Sequence, residues 1–288
     1  GLPDAARPGF GAGPALAVLM LVLGLSAHAP DAAAALVRDG LPVAAAREEL
    51  FTAVRAEPGF PRRAVRFCLQ RGGIAAEGLD SVVFFAKPLR KFERELTTRL
   101  QAFPASGGSF AKSMFRWLGE RLWMRNEIVA ELGVDPGKIL FAEHHQALAA
   151  SAFLTSPFEE AAILTTGADG EWATTALASG RGGGVEILRE IHHPHGLGRI
   201  VEAVARFLAL DPVQDESKWM ALAGYGEPRF GDALRGLLTL RADGSFEVAE
   251  RLARREAGPR DLRELAGLLG APRSPDQPLC FGPEDRRH

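Results

Sequence analysis

Cysteine is almost absent from this chain. Cys68 and Cys280 are the only two among 288 residues, and they lack the close spacing of a metal knuckle or a redox pair. That excludes a thiolate metal site, and a reducing, cytoplasmic home suits both thiols. Excess charge is missing as well. The formal balance is −2, too little to draw a nucleic acid or an anionic membrane. One tyrosine stands against many alanines, arginines and glycines, which reflects a GC-rich codon set and not a function. Long apolar runs are scarce. Phe10 to Ala29 carries no charge, but Gly11, Gly13, Pro14 and Gly24 interrupt it, and a membrane span needs about 20 mostly apolar residues. Ala27-His28-Ala29 with Arg7 upstream has the look of a secretory cleavage region. The favoured reading instead takes Met20 as the natural start and 1–19 as a disordered or upstream extension.

What remains is ordinary globular composition, 47% hydrophobic and 24% charged, enough for one large domain or two small ones. Three strands are predicted early: Leu21–Ser26, Ala32–Arg38 and Pro42–Arg47. Asp39-Gly40 between the last two is a two-residue hairpin turn. Pro61 to Gly72 is predicted helical. Proline suits the first turn, Val65, Cys68 and Leu69 share a face, and Gly72-Gly73 ends it. Ser81 to Ala86 is a buried strand, so the opening reads β-β-β-α-β, a mixed sheet under helical cover. Residues 87–133 read as a helical insertion. Leu89, Phe92, Leu96 and Leu100 form one apolar stripe; Phe115, Leu118, Leu122, Ile128, Val129 and Leu132 form another. Trp117 and Trp123 lie among basic residues, but with no basic net charge they are read as packing groups and not as a nucleic-acid face.

The chemistry concentrates in FAEHHQALAASAFLTSPFEEAAILTTGADGEWATT, Phe141 to Thr175. A strand, Lys138–Ala142, leads to His144 and His145 at the mouth of an alanine-rich helix. A second strand, Ala161–Thr166, ends in the Gly167–Gly170 turn, and Glu171 and Trp172 open a third. Strand ends that carry His, Asp and Glu beside glycines are where a phosphate or metal site is built. Further on, Arg181–Gly184 turns into strand Val185–Ile191. His192-His193-Pro194-His195 then offers imidazoles without a cysteine or carboxylate at a zinc spacing. Helices at Gly196–Leu210, Ser217–Ala223 and Pro259–Leu269 and a hairpin of Leu237–Arg241 with Ser245–Val248 complete the chain. Residues 271–288 read as a tail or linker after a domain spanning 20–270.

Eight blocks follow one another in a recognisable order: LGLSAHAPDAAAALVRDG, AAAREELFT, GFPRRAVRFCL, FFAKPLRKFER, LFAEHHQALAASAFLTSPFEEAAILT, GEWATT, HHPHGLG and KWMALAGYGEP. Together they resemble the N-terminal domain of the O-carbamoyltransferase family, which includes nodulation-factor and tobramycin-type antibiotic carbamoyltransferases. The resemblance runs from about Leu21 to Pro278, nearly the whole chain. It implies an α/β, actin-like ATPase (ribonuclease H-like) fold of mixed β-sheet lobes with flanking helices. It also implies a second domain that makes carbamoyl-adenylate from carbamoyl phosphate and ATP. The N-terminal domain would pass the carbamoyl group to an acceptor hydroxyl, with a nucleotide and a metal, usually iron. Members are roughly twice as long, about two domains by ordinary domain sizes, so this chain is expected to end before the second domain and to hold an incomplete second lobe.

Several family words are altered. In His-His-x-x-His-Ala, His144 and His145 match, but Leu148 replaces the third histidine and cannot bind a metal. Asp-Gly-x-Gly-Glu reads Gly167-Ala168-Asp169-Gly170-Glu171, with Asp169 as a partial substitute. The His-Asp pair reads Pro30-Asp31, with His28 two residues before Pro30. Lys-His reads Arg55-Ala56, and of Asn-x-Gly-Glu-Tyr-Lys only Glu216 and Lys218 remain. The roles implied are Asp31 and His28 handling the acceptor proton, His144 and His145 on the metal or the carbamoyl carbonyl, and Gly170, Glu171, Asp169 and Lys218 at the nucleotide phosphates. Each has a plainer reading as a cap, a turn or a solvated charge. Two alternatives stand beside the active transferase. One is a degenerate relative that binds a nucleotide or a partner without chemistry. The other is a sugar kinase, which would need an Asp-Gly phosphate turn where Ser26-Ala27-His28 stands. Partners are a small hydroxylated acceptor and no nucleic acid or membrane, with homodimer formation left open. The active reading requires His144 and Glu171 to face one cleft.

Overall fold

The computed structural model describes residues 20–29, 31–101, 117, 121–167, 170–249, 252 and 259–277. Expectations for 1–19, for Phe115 and Leu118, and for Asp169 lie outside them.

Alternation builds the first sheet. In β1 (Leu21–Ser26) Leu23 and Leu25 are buried on one face, and in β2 (Ala33–Arg38) Ala34 and Leu36 share that face. Asp39 and Gly40 take left-handed backbone, φ 51° and 80°, and return the chain as β3 (Leu41–Arg47), as the sequence predicted. β1 pairs antiparallel with β2 but parallel with β4 (Ser81–Phe84), and β4 pairs parallel with β5 (Ile139–Phe141). The resulting order is β3-β2-β1-β4-β5. This is the mixed sheet with flanking helices that was expected.

One face of that sheet carries the core. Between β3 and α2 lies α1 (Glu49–Thr52), a single turn with no sequence signal strong enough to predict it. Val65 and Cys68 of α2 (Arg62–Gly72) join Leu23, Leu36, Val82 and Ile139. The Cys68 thiol donates to the Ala34 carbonyl at 3.4 Å, and burial pushes its pKa up, so it is a packing group and not a nucleophile. The N-terminus of α2 is closed by the buried Glu48, whose carboxylate accepts from the amides of Arg63 and Ala64 at 2.9 and 2.8 Å.

The insertion departs from its predicted stripe. In α3 (Pro88–Gln101) Leu89 and Leu100 are exposed and Arg94 is buried. Trp117 sets the packing instead: its ring meets Phe92 edge-on at 5.7 Å and its indole N–H donates to Glu95 at 3.0 Å. The middle of the predicted stripe, Phe92, is therefore covered, while its end leucines stay in water. Trp123 is exposed, while Ile128 of α4 (Met124–Leu132) is fully buried in the first core.

After α5 (His144–Leu154), a meander of β6 (Glu160–Thr166), β7 (Ala173–Arg181) and β8 (Gly184–His192) forms a second, antiparallel sheet. Ala149 and Phe153 of α5 pack on Ile163 and Ala178. A third core joins α6 (Leu197–Phe207), the hairpin β9 (Leu238–Leu240) and β10 (Phe246–Val248), and the last helix, Pro259–Leu269, through Phe207, Leu237, Val248 and Leu265. Between α6 and β9 lie α7 (Glu216–Ala223) and α8 (Gly231–Arg235), so the last helix is α9. The Arg273 amide donates to the Phe207 carbonyl, tying the following segment back to α6. Among the described residues no helix is long and apolar enough to cross a membrane.

The Glu48 cap is directly testable. Glu48→Ala strands two amides at the start of α2 and should cost about 1–2 kcal/mol. Urea unfolding followed by circular dichroism should show a lower midpoint at an unchanged slope.

Candidate active site at the carboxyl ends of the parallel strands

β1, β4 and β5 run parallel, so their carboxyl ends share one edge of the sheet, the place where open α/β sheets bind ligands. The chain leaving β1 carries His28, that leaving β4 carries Lys87, and that leaving β5 carries Glu143 and His144. Residues from distant parts of the sequence therefore meet here because the strands are parallel.

Glu171 reaches the same edge from the second sheet. The residue is 7% exposed, and its carboxylate accepts from the Lys87 amide at 2.7 Å and the His144 amide at 3.1 Å. Those amides begin α3 and α5, so one side chain closes two helix N-termini and joins the two sheets. His144 and Glu171 do converge, by direct contact. Glu171 is thus an anion already placed where helix ends attract a phosphate. Beside it the Lys87 ammonium donates to Glu143 at 2.9 Å; this hydrogen bond, more than the accompanying charge, holds the Glu143 carboxyl below its ordinary range against the opposing effect of burial.

The two histidines have different fates. His145 is 3% exposed, with Nδ1 2.7 Å from Thr165 Oγ1 and Nε2 3.0 Å from the Ala173 carbonyl. A carbonyl can only accept, so Nε2 carries the hydrogen and Nδ1 accepts from the Thr165 hydroxyl. Burial pushes the His145 pKa down, opposed by the Ala173 bond and the Glu171 and Glu190 charges. Gly170 lies on this ring. A Cβ there would stand 3.1 Å from His145 Cδ2 and 2.1 Å from the Ala173 oxygen, so the position admits no side chain. The expectation of His145 as a metal ligand is corrected: both ring nitrogens are spent inside the second lobe. Leu148 is 37% exposed and offers no donor. Among the described residues no three His, Cys, Asp or Glu side chains gather in the manner of a metal site. The residues at this edge do not fit the expected ion. His144 packs edge-on to Phe85 and His145, at 5.7 and 5.3 Å between ring centres.

His28 and Asp31 occupy the turn from β1 to β2, both with left-handed backbone, φ 54° and 66°. Such backbone in non-glycine residues is strained and concentrates at functional turns. They engage different neighbours. Asp31 lies 3.6 Å from the Arg47 guanidinium, while His28 Nε2 lies 2.7 Å from Glu127 of α4. Arg47 lines a cavity of about 520 Å³ on the sheet face opposite the core. Gly24, Ala33, Ala35 and Ala45 floor it, and Phe85 and Ala142 border it at the carboxyl edge. Lys218 is elsewhere. Its ammonium pairs with Asp215 at 2.6 Å, next to Ser217, which accepts from Arg55 at 2.9 Å. Two of the altered family words, Arg55-Ala56 and 213–218, therefore meet each other and not the Glu171 cluster. Glu127 had no sequence signal, since it lies 99 positions from His28. Lys87 and Glu143 sit inside the quoted blocks but carried no motif of their own.

Two outcomes are expected. Glu171→Ala leaves two helix ends unsatisfied in a buried place and should cost about 2–3 kcal/mol, read as a lower urea midpoint. His145 should make stability fall in mild acid. Its folded pKa lies below the ordinary 6.5, so the unfolded chain takes the proton first. Stability is complete above that value and falls as pH drops towards the folded one, by at most about 1.4 kcal/mol per pH unit. Urea titrations between pH 8 and 5 should show this slope in the native chain and its loss in His145→Gln.

Comparison with known proteins agrees with this architecture. An uncharacterized protein of Synechocystis, sll1178, is 43% identical over 268 residues, covering 90% of this chain and 44% of that protein. Nodulation protein NolNO of Sinorhizobium fredii is 33% identical over 200 residues, covering 69% of this chain and 28% of that protein. The chain thus spans less than half the length of either relative. Residues 21–273, from the first strand to beyond the last helix, match the family described as Carbamoyltransferase N-terminus, and the chain belongs to that family.

Proposed function

We propose that this chain is the part of a carbamoyltransferase that moves a carbamoyl group from carbamoyl-adenylate to a hydroxyl of a small molecule or sugar. The observation that carries this reading is the cavity of about 520 Å³ bordering the carboxyl ends of the parallel strands, within the range of roughly 300–1,000 Å³ that small-molecule sites occupy. Family membership supports the reaction class, and the open hollow is of a size that suits a small molecule. Carbamoyl-adenylate is supplied from carbamoyl phosphate and ATP by a separate domain or chain, in a cytoplasmic setting.

In this reading the acceptor oxygen attacks the carbamoyl carbon. Its proton passes to a base in the β1–β2 turn, where His28 and Asp31 stand. The bond from the carbamoyl carbon to the phosphate oxygen breaks, and AMP leaves. Arg47 stands on the cavity wall, its guanidinium paired with Glu49 at 2.7 Å, and an adenylate phosphate would compete with that carboxylate for it. No step is routed through a metal, since His145 is engaged by Thr165 and Ala173 and Leu148 offers no donor.

A degenerate relative, one that binds adenylate without transferring carbamoyl, is the second reading. It is favoured by Glu171, which occupies helix ends that a phosphate would otherwise approach. One experiment separates the two. The purified chain is titrated with AMP by calorimetry, then given carbamoyl-adenylate with and without a panel of hydroxylated sugars and aminoglycosides. The transferase should bind AMP and release it from carbamoyl-adenylate faster when an acceptor is present. Binding without acceptor-dependent release identifies the degenerate relative, and absence of both overturns the two readings together.

A further inference from the structure

We infer that Glu127 is a positioning residue: it holds His28 in the tautomer whose Nδ1 takes the acceptor proton. The inference rests on the carbamoyl-transfer reading and names which of the two residues in the β1–β2 turn is the base.

The chemistry follows from what each partner can do. A carboxylate only accepts hydrogen bonds, so the 2.7 Å contact between Glu127 Oε2 and His28 Nε2 places the hydrogen on Nε2. In the neutral ring the lone pair is then on Nδ1. Among the described residues no hydrogen bond reaches that nitrogen. His145 provides the contrast within the same molecule, with both nitrogens engaged and the ring sealed. His192 also meets a carboxylate, Glu190 at 2.9 Å, but that partner is two residues away and more than half of the His192 side chain is in water. The His28 pair is the one held across the fold.

Burial and backbone support a functional pair. The His28 and Glu127 side chains are 24% and 27% exposed, screened enough for the bond to orient the ring and open enough for a substrate to arrive. His28 holds left-handed backbone at φ 54°. A non-glycine residue persists in such backbone only where neighbours hold it. Glu127 comes from the first turn of α4. The Arg62 guanidinium, bound to Glu131, lies within electrostatic reach of Glu127 as well. Asp31 is drawn instead to Arg47 at 3.6 Å, so its charge is partly engaged. In the transfer step His28 Nδ1 accepts the hydroxyl proton as the acceptor oxygen bonds to the carbamoyl carbon and AMP departs. The imidazolium so formed is stabilised by Glu127.

The test uses the full chain labelled with ¹⁵N-histidine, and Glu127→Ala beside Glu127→Gln. Ring nitrogen shifts should report the Nε2–H form of His28 in the native chain and a mixture in Glu127→Ala. Glu127→Gln, whose amide oxygen still accepts, should keep the native tautomer. Acceptor-dependent AMP release should fall in kcat by roughly 10²-fold in Glu127→Ala with KM changed less than about twofold, and less steeply in Glu127→Gln. Urea midpoints of both variants show whether each remains folded; if Glu127→Ala does not, the kcat loss in folded Glu127→Gln and the native-chain shifts decide. An Nδ1–H form in the native chain, or a tautomer unchanged by Glu127→Ala, overturns the inference whatever the rates. An Nε2–H form in a native chain that releases no AMP overturns the carbamoyl-transfer reading, and the proton transfer assigned to His28 falls with it.

Discussion

The Glu171 carboxylate is the point at which two separately formed sheets become one structure. Each sheet satisfies its own backbone through its own ladder, and α5 leads from one to the other. What fixes the second lobe against the edge of the first is a buried anion accepting from the amides of Lys87 and His144. Those amides are orphans of their helices and need a partner. A carboxylate meets that need and the helix dipole together, and a neutral side chain would meet the first alone. The same device appears at Glu48 on α2. In both cases an acidic residue distant from the helix it closes does the work that a local N-cap serine or aspartate usually does.

This clamp bears on where open space lies in the structure. With the loops after β4 and β5 pinned by Glu171, the open space moves to the sheet face floored by Gly24, Ala33, Ala35 and Ala45. Small residues leave room there because the core lies on the other face, where Leu23, Leu36, Val82 and Ile139 meet α2 and α4. The strained β1–β2 turn stands at the edge between the two faces. Its residues are pulled apart by partners on opposite sides: Asp31 by Arg47 of the open face, His28 by Glu127 of a core-covering helix. Strain stored in a turn and held by long-range bonds is a recurrent feature of working sites.

Local rules were legible where they acted alone. Asp39-Gly40 announced its hairpin, Gly72-Gly73 ended α2, and the apolar run Leu21–Ser26 matched β1 at both ends. The ordered blocks identified the family before any strand was placed. Other features depended on competition between local and distant contacts. Leucine spacing in α3 pointed to a stripe of which Trp117 covers Phe92, while Leu89 and Leu100 at its ends stay exposed. His144 and His145 looked equivalent as neighbours. A helix turns successive residues by about 100°, so one met the edge and the other the interior of the second lobe. Lys218 carried a family match, yet its helix docks through Ser217 on Arg55 and leaves the Glu171 cluster to other residues.

The linear chain therefore contained the strands, the turns, the apolar faces and the family, because each depends on residues within a few positions of one another or on their order. It could not contain the His28–Glu127 bond, the double cap made by Glu171, or the loss of His145 as a ligand. Each of these needs polar groups brought within about 3 Å across tens of residues by the pairing of strands and the packing of helices on them. Distance along the backbone carries no information about that geometry until the sheet order is set, and only the packed fold decides it.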